Sequence, residues 1–255
     1  MTTAARFAIV FLFALAASVL SAAENDEPEF KVIGYFASWN QGVESVQFDK
    51  LTHINYSFAK PNPDGTLNPV PHPERLRKLV ALAHQQGVKV GIAVGGWNGG
   101  DDSAFETFAA DAVARKVFVR QIVDLVNEFE LDGVDMDWEY PDAGESAERF
   151  LLLMTELRAA LKSKGKFLSV AVVAHGGKGI KSEVFEQIDM LNIMAYDGKD
   201  HGLYAQAVKS VDYWAKRGCK KSKLVLGVPF YGRSPYQSYR ALTDANDDAH
   251  RKDVA

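Results

Sequence analysis

The 255-residue sequence predicts an α/β fold, a TIM-type (β/α)8 barrel whose eighth strand is missing at the C-terminus. Three observations lead there. Short apolar runs alternate with amphipathic helical runs, and such repeated βα units build a parallel sheet with right-handed crossovers. Several of the apolar runs are nearly continuous in Val, Ile and Leu, as parallel strands covered on their outer face are. One strand also ends in a row of acids, which suits a barrel because active sites lie at the C-terminal ends of barrel strands. An open doubly wound sheet accounts for the alternation but not for the acids.

The strands expected are Phe30–Tyr35, Leu51–Phe58, Val88–Val94, Gly133–Glu139, Phe167–Val173, Met190–Tyr196 and Leu224–Phe230. Helices fall between them. Pro73 to Gln86 has Pro in its first turn and stops at Gly87, the usual asymmetry of helix ends. Ser103-Ala104-Phe105-Glu106 has the spacing of a capping box and opens a helical region reaching Glu128. Glu145 to Lys164 places Phe150, Leu153, Met154, Leu157 and Leu161 on one stripe before Gly165. Tyr204 to Arg217 ends at Gly218. The residues from Arg233 to Ala255 are polar and Asp-rich, with no run able to form an eighth strand. Residues 24–255 are therefore read as one barrel, incomplete at its C-terminus.

The acid row is Asp132-Gly133-Val134-Asp135-Met136-Asp137-Trp138-Glu139-Tyr140-Pro141. Side chains two apart on a strand share a face, so Asp135, Asp137 and Glu139 point into the barrel while Val134, Met136 and Trp138 point toward the helices. Three carboxyls on one face repel, and burial strengthens the repulsion. Such a row survives where protons, a metal or a substrate compensate it. Asp132, at the strand start and of opposite parity, reads as a capping or turn residue, Trp138 as core, and His53 as a satisfied core histidine.

Composition narrows the classes. A formal net charge of −4 offers no basic surface for nucleic acid. Arg6, the apolar run from Phe7 to Leu20 and Ser21-Ala22-Ala23 read as a secretory signal over residues 1–23, cleaved before Glu24. The run is shorter than the ~20 residues that a membrane span needs, so the mature chain is expected to be secreted, extracellular or periplasmic, and free of the membrane. The single Cys219 excludes an internal disulfide, leaving core burial to hold the domain. A monomer is expected.

With these residues in view, Asp132-x-x-Asp135-x-Asp137-x-Glu139 with Trp138 and Tyr140-Pro141 resembles the signature of family 18 glycoside hydrolases, the chitinase family. Gly34-Tyr35-Phe36 through Trp39 resembles the family's first strand, and Leu51 to Phe58 its second. Gly95-Gly96-Trp97 resembles its third-strand motif, Met194-Ala195-Tyr196-Asp197 its sixth, and Gly227 to Arg233 its seventh. The resemblance implies an exported chitinase that cuts β-1,4-linked N-acetylglucosamine with retention of configuration. Glu139 would be the general acid. Asp137 would orient the substrate's own 2-acetamido group, whose oxygen attacks C1 to form an oxazolinium ion. Asp135 would share a proton with Asp137, and Tyr196 would donate to the acetamido oxygen. Chitin or chitooligosaccharide would be the partner, with no metal and no cofactor. A Mg²⁺ or Ca²⁺ site on the three carboxylates is the competing explanation of the row.

The same resemblance assigns Tyr35, Phe58, Gly95, Gly96, Trp97, Met194, Asp197, Tyr231 and Arg233 to substrate binding. Packing competes for each aromatic, and a rim salt bridge for Asp197 and Arg233. Departures from the family pattern matter too. Ala93 stands where the pattern has a serine that would donate to the inner acids, and no Trp follows Trp214 to floor the −1 subsite from an eighth strand. The rival functions are an endo-β-N-acetylglucosaminidase acting on N-glycans and, were Ala255 the true end, a catalytically impaired chitin-binding barrel.

Overall fold

The structure is a computed structural model and describes residues 30–40, 42–233 and 236–245. The signal expected over residues 1–23 lies outside them. In chain order the elements are β1 (Ile33–Ala37), β2 (His53–Ala59), α1 (Pro73–Gln85), β3 (Lys89–Gly95), α2 (Ser103–Ala110), α3 (Ala112–Glu128), β4 (Gly133–Asp137) and α4 (Glu145–Lys162). They continue with β5 (Phe167–Val173), α5 (Val184–Gln187), β6 (Met190–Met194), α6 (Tyr204–Lys216), β7 (Leu224–Gly227), β8 (Tyr231–Gly232), β9 (Gln237–Ser238) and α7 (Tyr239–Ala245).

β1 to β7 form one parallel sheet in sequential order. Helices pack outside it, giving a curled (β/α) barrel with seven strands. Among the described residues no strand joins β7 back to β1. The helices follow their patterns. α1 buries Leu76, Leu79, Val80 and Ala83, a single stripe at 3.6-residue spacing. α4 buries the expected Phe150, Leu153, Met154, Leu157 and Leu161. No helix among the described residues is long and apolar enough to cross a membrane.

Several expected boundaries shift. β1 runs from Ile33 to Ala37 instead of Phe30 to Tyr35, while β4 stops at Asp137, β6 at Met194 and β7 at Gly227. Glu139 and Tyr196 lie past the last ladder pairs of their strands, Gly95 with Asp137 and Met194 with Gly227. Pro229, with no N–H, cannot continue a ladder. The helical region after Ser103 is two helices, not one. Asp111 interrupts it with extended backbone (ψ 124°) and accepts hydrogen bonds from the N–H groups of Val113 and Ala114. No capping box forms at Ser103, which lies inside α2 and donates its N–H to Asp101. Glu106 pairs instead with Arg149 of α4. The polar segment after Phe230 is not featureless either: β8 and β9 pair antiparallel and α7 follows.

The barrel interior is layered. At the bottom the Phe167 ring takes the space where Gly91 and Gly133 lack side chains, since a Cβ on either would come within 2.6 and 2.3 Å of it. His53 meets Phe167 edge-on at 5.3 Å and hydrogen-bonds Thr52 through Nδ1. Above them lies a polar layer of Asn55, Asp135, Ser169 and Asn192, all buried. Outside the barrel wall Trp138 stacks on Phe105 at 5.1 Å, meets Phe150 edge-on, and donates Nε1–H to Asp102. Asp132 accepts from the Val90 N–H and hydrogen-bonds His84, tying the start of β4 to its neighbours.

Candidate active site

The acid row runs up the barrel interior from Asp135 to Glu139. Asp135, fully buried, is held from three strands. Its Oδ1 accepts from Ser169 Oγ of β5 (2.5 Å) and Asn192 Nδ2 of β6 (2.9 Å), and its Oδ2 from the Tyr35 hydroxyl of β1 (2.8 Å). Asn192 also donates to the Tyr35 oxygen at 3.0 Å. Burial pushes the Asp135 pKa up, and these three hydrogen bonds oppose the rise by favouring the carboxylate. Ala93 lies directly opposite Asp135 in the β3–β4 register. The hydroxyl absent there leaves Asp135 no bond short, because β5 and β6 supply the donors.

Asp137 is 4% exposed and its Oδ1 has no hydrogen-bond partner. Burial and the charges of Glu139 and Asp135 hold its pKa well above the carboxylate range. After burial, the charge of Glu139 weighs on it most, ahead of that of Asp135. Glu139, half-buried at the mouth, has its own pKa raised by burial. Hydrogen bonds from Tyr140 and Asp137 and the charge of Lys60 temper that rise. The upper layer is thus an acid pair whose burial favours the protonated forms, opening on solvent.

Tyr196 lies beyond β6, near Asp137, Glu139 and Asp197, and burial with those acids raises its pKa. It therefore stays a hydroxyl donor throughout the working pH range. Met194 is half-buried on the same face of β6. Asp197 accepts from the Tyr231 hydroxyl at 2.8 Å, and its Oδ1 stands 3.4 Å from Arg233. His201 braces the group, taking the Asp197 N–H on Nδ1 while Nε2 faces the Tyr231 carbonyl at 3.0 Å. Tyr231 in turn lies edge-on to Tyr196.

The opposite rim is aromatic. Trp97 is 59% exposed beside Tyr140, and Trp39, 66% exposed, tilts over Phe58. Gly96 (φ +82°) makes room for the Phe58 ring, and a Cβ at Gly95 (φ +113°) would lie 2.2 Å from the Asp137 carbonyl, so both glycines have packing reasons. They also line a cavity of about 200 Å³ with Glu139, Lys60, Asn68, Asn98 and Asp102. Tyr35 is 44% exposed although its hydroxyl reaches Asp135, because β1 has no neighbour on its far side among the described residues.

Of the thirteen residues expected at the site, Tyr35 and Asp135 sit mid-strand inside the barrel, and the other eleven fall at the C-terminal strand ends or in the segments that follow them. The sequence reading missed Ser169, Asn192, Asn55 and Lys60. The first three are polar residues at inward positions of otherwise apolar strands, and Lys60 is a charge placed directly after β2. Those were the available signals.

The family described as Glycosyl hydrolases family 18 matches residues 31–251. An endochitinase of Manduca sexta is 28% identical over 270 residues, covering 88% of this chain and 49% of its own length. A crystal structure of a chitinase from Bacteroides thetaiotaomicron superposes with a TM-score of 0.75 at 29% identity, covering 86% of this chain and 77% of that one. Catalytic domain 2 of an Ostrinia furnacalis Group II chitinase, crystallised as a mutant with a bound N-acetylchitooligosaccharide, gives 0.71 at 25% identity, covering 80% of this chain and 64% of that one. The chain spans between 11% and about half of the length of the first curated relatives it matches. Because the family match takes in every strand of the sheet together with the acid row inside it, the chain belongs to family 18 of the glycosyl hydrolases.

Proposed function

We propose that the chain is the catalytic barrel of an exported chitinase, hydrolysing β-1,4-N-acetylglucosamine linkages with retention through an oxazolinium intermediate. The observation that carries this reading is the acid row: Glu139 lines the cavity at the mouth, above the buried Asp137 and the Asp135 held from three strands. Glu139 protonates the glycosidic oxygen, for which an upward-shifted pKa keeps its proton available. Asp137 then turns its acceptor to the substrate acetamido N–H while the acetamido oxygen attacks C1. Asp135, fixed by Tyr35, Ser169 and Asn192, supplies the negative charge that offsets the oxazolinium. Tyr196 holds the acetamido oxygen in line. Trp97, Trp39 and Phe58 offer faces for sugar rings, and Asp197, Tyr231 and Arg233 polar contacts on the other rim. The sugar bound to the Ostrinia relative supports chitooligosaccharide as the ligand class. The sequence pattern read as a signal over residues 1–23 supports export, and no second copy is needed to complete this reading, so we take the protein as a monomer.

The test is hydrolysis of chitotetraose by residues 24–255 with the anomer of the first product followed by NMR. Retained chitobiose is expected. Glu139→Gln should lower kcat by about a hundredfold to ten-thousandfold, as loss of general acid catalysis does, with oligosaccharide binding kept. A variant holding more than a tenth of the wild-type rate would remove Glu139 from the role. One observation favours a second reading. No strand joins β7 to β1 among the described residues, which suits a barrel that binds chitooligosaccharide without cutting it. Binding with no turnover by cooperatively folded protein would establish that reading instead.

A further inference from the structure

Lys60, the first residue past β2, has no obvious structural reason to leave water. Its side chain is half-buried, its ammonium donates to the Gly95 carbonyl (2.5 Å), and it sits over the Phe58 ring at 5.2 Å. One carbonyl and one ring face are a weak exchange for a lysine's hydration. The rest of the compensation lies across the cavity. Lys60 and Glu139 line the same space, and Gly95 is the β3 partner of Asp137 in the sheet register.

We propose that Lys60 is a positioning residue for proton transfer: anchored on Gly95, its ammonium compensates the charge that Glu139 acquires when it gives up its proton. This rests on the reading of Glu139 as general acid. In that step the Glu139 O–H bond breaks and a new O–H bond forms on the glycosidic oxygen. The C1–O bond breaks with its electron pair going to that oxygen, and the acetamido oxygen supplies the pair that C1 loses. Glu139 is left as a carboxylate beside Asp137, in a wall already crowded with acids. On the β4 side stand Asp135 and Asp137, and beyond β6 Asp197, whose near cation Arg233 is its own partner. Asp101 and Asp102 line the cavity after β3, and the neighbouring phenols Tyr140 and Tyr196 add no charge. Lys60 is the cation whose charge acts on both Asp137 and Glu139. Burial weakens its hold on its own proton while those two acids strengthen it.

A cation beside a carboxyl favours the ionised form. Removing it should therefore make Glu139 a weaker acid, moving the basic limb of the pH profile upward and slowing proton donation at the plateau. The experiment measures kcat/KM against pH on chitotetraose for wild type, Lys60→Met and Lys60→Arg, alongside Glu139→Gln. We expect Lys60→Met to move the basic limb up by about half to one pH unit and to lower kcat about tenfold. Lys60→Arg should hold the limb near wild type. On an aryl chitobioside, whose leaving group needs little protonation, the kcat loss should shrink to about threefold or less. If Lys60→Met does not melt cooperatively, Lys60→Gln gives the same comparison, since it also removes the charge. An unmoved limb, or an equal kcat loss on both leaving groups, would reduce Lys60 to a brace for Gly95 and overturn the inference. Turnover by Glu139→Gln would instead overturn the general-acid reading beneath it.

Discussion

At the residue scale the chemistry depends on how two adjacent carboxyls of one strand are treated differently. Asp135 has its oxygens filled by three donors, whereas Asp137 keeps a buried oxygen unpartnered and leans on Glu139. The first arrangement favours an anion and the second a proton. Both burial effects still raise the folded-state values above those of the unfolded chain. The folded protein therefore binds more protons than the unfolded one. Stability from these groups is fully present below the unfolded carboxylate range, near pH 4, and is lost as pH rises through the raised folded values. Asp137→Asn removes one such titration. Its melting temperature should fall less between pH 5 and pH 8 than that of wild type, by calorimetry at the two pH values. Each unit of upward displacement is worth about 1.4 kcal/mol. An unchanged pH dependence would mean that Asp137 ionises freely in the folded state.

At the scale of elements, strand parity and helix stripes were legible, and ends were not. Parity alone put Asp135 and Asp137 inside and Trp138 outside, because a period of two leaves no choice once one face is buried. The Ser103 spacing misled because a capping box is local chemistry that competes with other caps nearby. Asp101 and Asp111 supply the cap contacts instead, and Glu106 finds Arg149 on another helix. Asp111 should then matter more than Ser103. Asp111→Ala is expected to cost about 1 kcal/mol, lowering the melting temperature by about 2–4 °C for a domain of this size, while Ser103→Ala stays near wild type. Equal effects would restore the continuous-helix expectation.

At the scale of the whole molecule, buried residues from every strand between β2 and β6 belong to one hydrophobic cluster, which reaches α6 through Trp214. Trp138 sits against α2 and α4, Trp214 against Phe185 of α5, and both are fully buried. One continuous core should unfold as one unit. Urea transitions followed by tryptophan fluorescence in Trp138→Phe and in Trp214→Phe should each coincide with the far-ultraviolet circular dichroism curve of the same variant. Separated midpoints would divide the sheet into halves that melt apart. The outer edges are less protected: Tyr35, Leu226 and Val228 are each at least 40% exposed, an apolar margin at β1 and after β7 that no strand covers among the described residues.

The order of elements, the parallel sheet and the face on which the acids lie were determined by sequence alone, since they depend on periodicities of two and 3.6 that a linear reading records. Which donors hold Asp135, which neighbour's charge weighs most on Asp137, and that a lysine 79 positions away lines the same cavity as Glu139 were decided only by tertiary structure. Those relations join residues from different strands, and their strength depends on distance and burial. Neither quantity exists until the sheet curls and brings β1, β2, β5 and β6 around β4.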